Sequence, residues 1–247
     1  YISIKGIKVW AQRLSYVGEL DYELYVDLKD AKKIDELLTE KGTDCNLSNC
    51  GMHAMDIMRM ESGFLHWGHD ISPEENQYQA GLAFTISKKK DVNFIGKQAI
   101  EKIKQEKIKT RFAMFILKES EPGKPLLLHD EPIYIDDKII WRSTSGNYSF
   151  NFKKNLVFGY IKNDFSNEEL QNKDLFIEVE KKKYPIELIS KPLKQTNFKD
   201  NFENDNFKFS SAKYISIKGI KVWAQRLSYV GELGYELYVD LKDVKKI

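Results

Sequence analysis

The sequence predicts an α+β fold in which a mixed domain of strands and helices precedes a small β-barrel. Residues 1–27 show the alternation of apolar and polar side chains that is typical of strands. Residues 30–61 carry two helical patterns, and residues 110–192 carry short strand-like runs separated by turns. Because strands and helices are grouped rather than strictly alternating, the pattern favours the α+β class.

The first strands are predicted from a period of two. Residues 1–11 indicate two short strands joined by a turn at Lys5-Gly6. The next strand runs from Leu20 to Val26, and its two faces differ sharply. Leu20, Tyr22, Leu24 and Val26 are predicted to face a core, and Glu19, Asp21, Glu23 and Tyr25 the opposite, acidic side.

Two helices follow. Asp30 is predicted to cap a helix that runs to about Lys41 and stops at Gly42. The second helix is predicted over Gly51 to Glu61, and we interpret Met52, Met55 and Met58 as an apolar row that fills a core. Asp56 and Arg59 are three residues apart, which favours a surface ion pair contributing less than about 1 kcal/mol.

The remaining elements are shorter. Gly63 to Pro73 is predicted to be a loop, Tyr78 to Ile86 a strand, and Gln98 to Lys104 a short helix. Six barrel strands are predicted at 111–117, 132–135, 139–143, 156–161, 175–179 and 184–189, with hairpin turns at Asp136-Asp137 and Lys181-Lys182. Residues 194–213 lack periodicity and are predicted to be a polar linker.

Composition excludes several classes of protein. The 39 basic and 37 acidic residues nearly cancel, so a broadly basic nucleic-acid binder is not expected. No apolar run approaches the roughly 20 residues that span a bilayer, and Cys45 and Cys50 are too few for a disulfide framework. We therefore expect a soluble cytoplasmic protein of a reducing compartment, with no nucleic-acid or membrane partner.

The residues that carry chemistry indicate binding rather than a metal centre. His66, His69 and Asp70 lie together, but zinc sites usually show two tight ligand pairs, so no metal is predicted. No phosphate loop, GxGxxG or GxSxG is present. What remains is an acidic strand, a helical arginine and an aromatic loop, which suit a flat heterocycle with adjacent N–H donors.

Four residues are candidates for such a site. Glu23 would accept two hydrogen bonds from the ring edge, and Trp67 or Tyr16 would cover its face. Arg59 could instead hold an anionic group of the ligand. From these residues alone, a solvated sheet face with a structural loop is the alternative interpretation.

Four motifs in order resemble the folate-binding region of the glycine-cleavage aminomethyltransferase family. They are Arg13-x-Ser-Tyr16-x-Gly18-Glu19-x-x-Tyr22-Glu23, Met58-Arg59-Met60-Glu61-x-Gly63, His66-Trp67-Gly68-His69-Asp70 and Phe94-Ile95-Gly96-Lys97-x-Ala99. The form His-Trp-Gly-His-Asp-Ile-Ser-Pro at residues 66–73 is similar to the branch fused to flavin enzymes, the sarcosine and dimethylglycine dehydrogenases. Glu131-Pro132-Ile133 and Phe158-Gly159-Tyr160-Ile161 resemble the C-terminal barrel of the family.

This resemblance implies a site and a reaction. Tetrahydrofolate would be bound by Glu23, with Arg59 in support and Trp67 and Tyr16 as aromatic contacts, and would accept a one-carbon unit from an intermediate derived from a methylated amine. No catalytic residue is predicted, because the aspartate of the family belongs to the first half of its folate domain. That half is expected to be absent here, as is the flavin domain that carries FAD, so enzymatic activity of this chain is an open question.

The expected organisation follows from the same resemblance. Residues 1–106 would be the second half of the folate-binding domain, 107–193 the barrel, 194–213 a linker and 214–247 the start of a truncated second copy. We expect a fragment of a tetrahydrofolate-dependent one-carbon transfer enzyme; the alternative is a non-catalytic folate- or protein-binding module of the same fold. The absent initiator Met favours the fragment.

Three positions depart from the pattern of the family. Asp21 and Trp141 stand where the family usually has Gly, and Met55 falls where some members have a further arginine. A third carboxylate beside Glu19 and Glu23 is expected to increase repulsion and weaken folate binding.

The end of the chain repeats its beginning. Residues 214–247 reproduce residues 1–34 with two changes, Asp21 to Gly234 and Ala31 to Val244. The second copy could begin a truncated tandem unit, pair with a neighbouring chain, or be an artefact of sequence assembly; the first and last are favoured. We predict that residues 1–34 occupy the position in the sheet and that residues 214–247 pack loosely.

Overall fold

The computed structural model describes residues 1–19, 21–86, 94–194, 212–217, 219–226 and 235–239. The chain divides into two compact units, one made of Tyr1–Gln79 and Lys107–Lys194, the other of Ala80–Glu106 and Gln195–Ile247. The prediction for Leu20, nearly all of the predicted linker and much of the terminal copy lie outside the described residues.

The first unit begins with a three-stranded antiparallel sheet. Its strands are β1 (Ile2–Ile4), β2 (Ile7–Leu14) and β3 (Asp21–Tyr25), in that spatial order. The predicted turn between β1 and β2 is confirmed, because Lys5 and Gly6 have φ of 49° and 82°, as the tight turn of a hairpin requires.

One face of this sheet is covered by the first helix, α1 (Leu28–Gly42). Ile7 and Val9 are buried against Ile34 of α1, and the inward prediction for Leu24 and Val26 is confirmed because both pack on this cluster. The inward prediction for Tyr22 is wrong, since its side chain is 60% exposed. The buried cluster contains residues of β2 and α1 but not the end of β3 where Tyr22 lies.

The start of α1 differs from the prediction. The N-cap position is Asp27, which makes no side-chain capping bond, and Asp30 lies in the first turn. An acidic side chain there still interacts favourably with the helix dipole. Gly42 does not end the helical turn, because a 3₁₀ turn at Thr43–Cys45 continues to Asn46 in the left-handed conformation.

The second helix, α2 (Met52–Glu61), is confirmed with Gly51 at its N-cap position. Its buried residues are not the predicted methionine row, because Met52 is 69% exposed. Instead Ile57 and Met60 pack with Leu156 and Phe158 of the barrel. The second half of the helix therefore supplies the apolar contacts with the barrel.

The barrel is closed by six antiparallel strands in the order β4-β7-β6-β5-β8-β9, which confirms the predicted α+β class with a C-terminal barrel. Its strands are β4 (Thr110–Leu117), β5 (Pro132–Ile135), β6 (Lys138–Ser149), β7 (Lys154–Lys162), β8 (Leu175–Val179) and β9 (Lys182–Ile189). Phe115, Ile133 and Ile177 are fully buried in its core. A third helix of this unit spans Asn167–Gln171 and is capped by Ser166.

The strand lengths and one turn refine the prediction. Strand β6 extends to Ser149, well past the predicted end at residue 143. The β8–β9 turn is formed by Glu180 and Lys181, which have φ of 51° and 64°, so Lys182 already belongs to β9. Gly159 permits close approach of β7 to β6, because a Cβ atom there would lie 2.6 Å from the carbonyl oxygen of Arg142.

The strand predicted at Tyr78 to Ile86 is wrong. These residues form turns and a 3₁₀ helix at Ala83–Thr85. The turn begins where the side-chain oxygen of Asn76 accepts hydrogen bonds from the backbone N–H groups of Tyr78 and Gln79, each at 3.0 Å. Asparagine commonly replaces a strand ladder with a local turn in this way.

The second unit contains a helix at Lys97–Gln105, which confirms the predicted short helix, and a second three-stranded sheet. Its strands are β10 (Ala212–Ile217), β11 (Ile220–Arg226) and β12 (Tyr235–Tyr238). Val222 and Ala224 are fully buried in its small core. Across the described residues, every helix is too short or too polar to cross a membrane.

Candidate functional site

Arg59 of α2 is completely buried and lies at the centre of the site. Its Nε donates to Asp56 Oδ1 at 2.9 Å, and its Nη2 lies 2.7 Å from the same oxygen. Nη2 also donates to Ser145 Oγ at 2.8 Å, and Nη1 donates to the Phe64 carbonyl at 3.0 Å and to Asp70. The predicted ion pair between Asp56 and Arg59 is present, but its predicted surface position is wrong, because the guanidinium is completely buried and makes four hydrogen bonds inside the protein.

Asp70 connects the loop to the barrel. Its Oδ2 accepts from Arg59 and, at 2.9 Å, from the backbone N–H of His66. Its Oδ1 accepts from Ser145 Oγ at 2.8 Å and from Thr144. Since the carboxylate is buried, these hydrogen bonds are what compensates its lost hydration. The loop that follows α2 is consequently joined both to the helix and to β6.

Trp67 lies at the turn of this loop. The Gly68 N–H donates to the Ile71 carbonyl at 2.7 Å, and the Asp70 N–H donates to the His66 carbonyl at 2.8 Å. Gly68 has a φ of 89°, which a glycine adopts without strain. The turn presents the Trp67 side chain to solvent with 65% of its surface exposed.

Tyr16 lies beside the buried charges. Its hydroxyl oxygen is buried and has no hydrogen-bond partner among the residues that the structure describes. Burial raises the pKa of the Tyr16 phenol, the positive charge of Arg59 lowers it, and the carboxylates of Asp56 and Asp70 raise it further. The Tyr16 ring also meets the His66 ring edge-on, with centroids 6.3 Å apart.

The backbone of Tyr16 is positioned by Asp21. The carboxylate Oδ2 of Asp21 accepts hydrogen bonds from the N–H groups of Tyr16 at 3.0 Å and Val17 at 3.3 Å. The carboxylate of Asp21 therefore shapes the loop between β2 and β3.

Glu23 is exposed on β3 and accepts a hydrogen bond from the Tyr25 hydroxyl, which raises the pKa of that phenol. Its strand partner across the ladder is Gln12. The structure thus brings Tyr16 to the surroundings of Arg59, and in the described residues no hydrogen bond or ion pair joins Glu23 or Trp67 to Arg59.

A cavity of about 280 Å³ opens next to this network. Its lining includes all four histidines of the chain, which are His53, His66, His69 and His129. Asp56, Ser145 and leucines of the loop before β5 also line the cavity. The rings of His66 and His69 are 4.5 Å apart, and those of His69 and His129 are 6.3 Å apart. In the described part of the chain, no three His, Cys, Asp or Glu side chains are placed to hold a metal ion.

The His66 imidazole has a perturbed proton affinity. Burial lowers its pKa first, and the neighbouring His69 and Arg59 lower it further, against the smaller opposing effect of Asp56 and Asp70. Sequence reasoning identified His66 but missed His53, His129 and Ser145. No local motif marks these residues, because only the fold brings β6 and the loop before β5 to α2.

Arg59 and Asp70 join an α+β layer to a closed six-stranded barrel. Residues 1–90 and 190–247 match the family described as GCVT N-terminal domain, and residues 111–194 match the glycine cleavage T-protein C-terminal barrel domain. The chain belongs to the glycine cleavage T-protein family, as the motifs predicted.

Curated relatives include dimethylglycine and sarcosine dehydrogenases and aminomethyltransferases. The chain is 31% identical to human mitochondrial dimethylglycine dehydrogenase over 192 residues, covering 78% of this chain and 22% of that protein. It is 34% identical to the aminomethyltransferase of Halothermothrix orenii over 162 residues, covering 66% of this chain and 44% of that one. It therefore spans about a fifth of the length of the dehydrogenases.

The solved structure of aminomethyltransferase T from Bartonella henselae has the same fold. Its TM-score is 0.63 at 21% sequence identity, and the match covers 74% of this chain and 49% of that one. The likeness supports the architecture of sheet, helix and barrel described above.

Proposed function

We propose that this chain is a tetrahydrofolate-binding part of a one-carbon transfer enzyme of the flavin-fused dehydrogenase branch. The proposal is supported by the matches to dimethylglycine and sarcosine dehydrogenases and to aminomethyltransferases. In this proposal FAD belongs to another domain of the whole enzyme, and the amine-derived intermediate is delivered to the folate.

The observation that carries the proposal is the buried, unpartnered hydroxyl of Tyr16. A buried hydroxyl without a hydrogen bond is costly, so a polar ligand that contacts it would be favoured. Glu23 is exposed on β3, and Trp67 is exposed on the loop after α2. In this proposal Glu23 would supply an acceptor for N–H groups of a pterin, Tyr16 a hydroxyl and Trp67 an aromatic surface.

The residues have distinct roles in this proposal. Glu23 accepts hydrogen bonds from adjacent N–H donors of the ring, and Tyr16 and Trp67 supply aromatic contact. Arg59 is a positioning residue, because Nε, Nη1 and Nη2 all donate within the protein and it acts through Asp70 on the Trp67 loop. Tetrahydrofolate, when bound, supplies the acceptor for the one-carbon unit. No residue of this chain is assigned to proton transfer.

Calorimetric titration of the purified chain with tetrahydrofolate tests this proposal. Glu23→Gln keeps the shape and removes the charge, so affinity should fall by about tenfold or more, the usual loss for a hydrogen bond to a charged group. The matched control is Glu236→Gln, the same position in the terminal copy, which should bind like the unaltered chain. Binding that is unaffected by Glu23→Gln, or no heat from the unaltered chain, contradicts the proposal.

A second candidate function is that of a protein-binding module without chemistry. It is favoured by a row of exposed aromatic rings on the first sheet, in which Trp10 lies 6.3 Å from Tyr1 and 5.2 Å from Tyr25. Such rings commonly anchor protein interfaces. On this alternative Glu23→Gln would leave partner binding intact, whereas Trp10→Ala would abolish it.

A further inference from the structure

The chain returns to the end of α2 after the last strand of the barrel. We call residues 192–194 the strap. Pro192 lies so close to Gly63 that a Cβ atom on this glycine would be 2.5 Å from Pro192 Cγ. The middle residue of the strap packs on the hydrophobic cluster of α2 and β7, and the backbone N–H of Lys194 donates to the Glu61 carbonyl at 2.8 Å. These contacts hold the strap in place without the Lys194 side chain.

The Lys194 side chain extends from the strap to the loop between β2 and β3. Its Nζ donates to the Val17 carbonyl at 3.2 Å and forms an ion pair with Glu19. Ser62 Oγ, at the end of α2, donates to the same carbonyl at 2.8 Å. The loop fits closely here, because a Cβ atom on Gly18 would lie 2.4 Å from Ser62 Oγ. The two donors therefore use both lone pairs of the Val17 carbonyl.

The N–H side of Val17 is fixed as well. Asp21 Oδ2 accepts hydrogen bonds from the N–H groups of Tyr16 at 3.0 Å and Val17 at 3.3 Å. Tyr16 directly precedes Val17, and its ring meets the His66 ring edge-on with centroids 6.3 Å apart. The position of the Tyr16 ring therefore depends on the contacts that hold Val17.

Lys194 is the residue that connects the strap to this loop. Among the described residues, every hydrogen bond or ion pair between the strap and the loop comes from its ammonium group. Only 28% of the Lys194 side chain is exposed, so its charge is less screened than in a surface pair. A charged donor also makes a stronger hydrogen bond than the neutral hydroxyl of Ser62.

We propose that Lys194 is a positioning residue of the tetrahydrofolate site. It acts through Val17, because its ammonium group holds the loop that carries the Tyr16 hydroxyl. The inference rests on the proposed function, in which Tyr16 contacts the ligand, whereas the contact of strap and loop exists without ligand. If this contact is lost, the loop must be ordered when the ligand binds, and that cost lowers the affinity.

Amide hydrogen exchange by NMR and calorimetric titration with tetrahydrofolate, both on the full chain, test the proposal. Lys194→Met removes the charge and the donors and keeps an apolar side chain of similar length. We expect the Val17 amide to exchange about tenfold faster and the affinity for tetrahydrofolate to fall about tenfold. A hydrogen bond to a charged group contributes at least this factor.

Two further variants separate positioning from a general loss of structure. Lys194→Arg keeps a charged donor and should restore slow exchange at Val17 and most of the affinity. Lys191→Met is the matched control, because it makes the same change at an exposed lysine three residues earlier, and it should alter neither quantity.

Each result decides a separate point. Unchanged affinity of a folded Lys194→Met variant would overturn the positioning role, even if the Val17 amide exchanges faster. Equal losses in Lys191→Met, or no recovery in Lys194→Arg, would overturn it too. If the unaltered chain binds no tetrahydrofolate, the proposed function fails, and exchange at Val17 still decides whether Lys194 holds the loop.

Discussion

Replacement of Arg59 by methionine removes the cation that compensates two carboxylates at the interface of α2 and the barrel. Methionine occupies much of the same volume, so the change leaves Asp70 buried and without its ion pair. Ser145 loses the donor that reaches its Oγ at 2.8 Å, and the Phe64 carbonyl loses one at 3.0 Å. Removing one member of a buried pair typically costs about 3–5 kcal/mol.

An exposed arginine–aspartate pair of the barrel provides the control. Arg142 pairs with Asp130 on the surface of the barrel, where 61% of the arginine side chain is exposed. Arg142→Met should therefore cost less than about 1 kcal/mol. The two substitutions are chemically the same, so the difference between them isolates the effect of burial.

Urea unfolding followed by far-UV circular dichroism measures both losses. Arg59→Met should lower the free energy of unfolding by about 3–5 kcal/mol, and adding Asp70→Asn should recover part of the loss because the uncompensated charge is removed. A loss below about 1 kcal/mol for Arg59→Met, or an equal loss for Arg142→Met, would refute the assignment of Arg59 as the central buried cation.

Two further predictions concern the loop between β2 and β3 and the cavity. Gly18→Ala should lower the free energy of unfolding by about 1–3 kcal/mol, because the residue has a φ of 71° and the new methyl would meet Ser62. Gly6→Ala is the control and should lower it less, because Gly6 has a φ of 82° but open space around its Cα. Equal urea midpoints for the two variants would contradict the contact with Ser62. Burial lowers the pKa of His66 below 6.5, so folding favours the neutral form of the ring. The neutral ring therefore contributes fully to the free energy of unfolding above pH 6.5. This contribution is lost as the pH falls through the pKa of the folded state. An NMR titration of the imidazole checks this, and a His66 pKa at or above 6.5 would show that the reasoning fails.

Much of the local structure could be predicted because its causes are local. The Lys5-Gly6 turn, helix α2 and the short barrel strands follow from turn residues and periodicity. The strand predicted at 78–86 failed because the Asn76 side chain satisfies two backbone N–H groups there and starts a turn. An apolar run alone does not reveal such a competing hydrogen bond.

The centre of the site could not be predicted, because its partners are distant in the sequence. In the sequence, Asp56 and Arg59 resemble an ordinary surface ion pair three residues apart. The hydrogen bond from Arg59 to Ser145, which lies 86 residues further along the chain, shows that β6 of the barrel covers this side of the helix. The same covering selects Ile57 and Met60 for the interior and leaves Met52 in solvent. The family motifs identified Arg59 as a site residue. Its burial became visible only with the barrel in place, because Ser145 of β6 contacts it.

The closure of the barrel has a consequence for how the chain opens. Strand β4 pairs with both β7 and β9, and β5 with both β6 and β8, so each of these strands has neighbours on both sides. A single barrel strand can separate only if its hydrogen bonds to two neighbouring strands are broken. By contrast, β1 or β3 of the first sheet separates once its hydrogen bonds to β2 are broken. Amide protons of the barrel should thus exchange with deuterium as one cooperative group, and those of the first sheet should exchange progressively from its two outer strands.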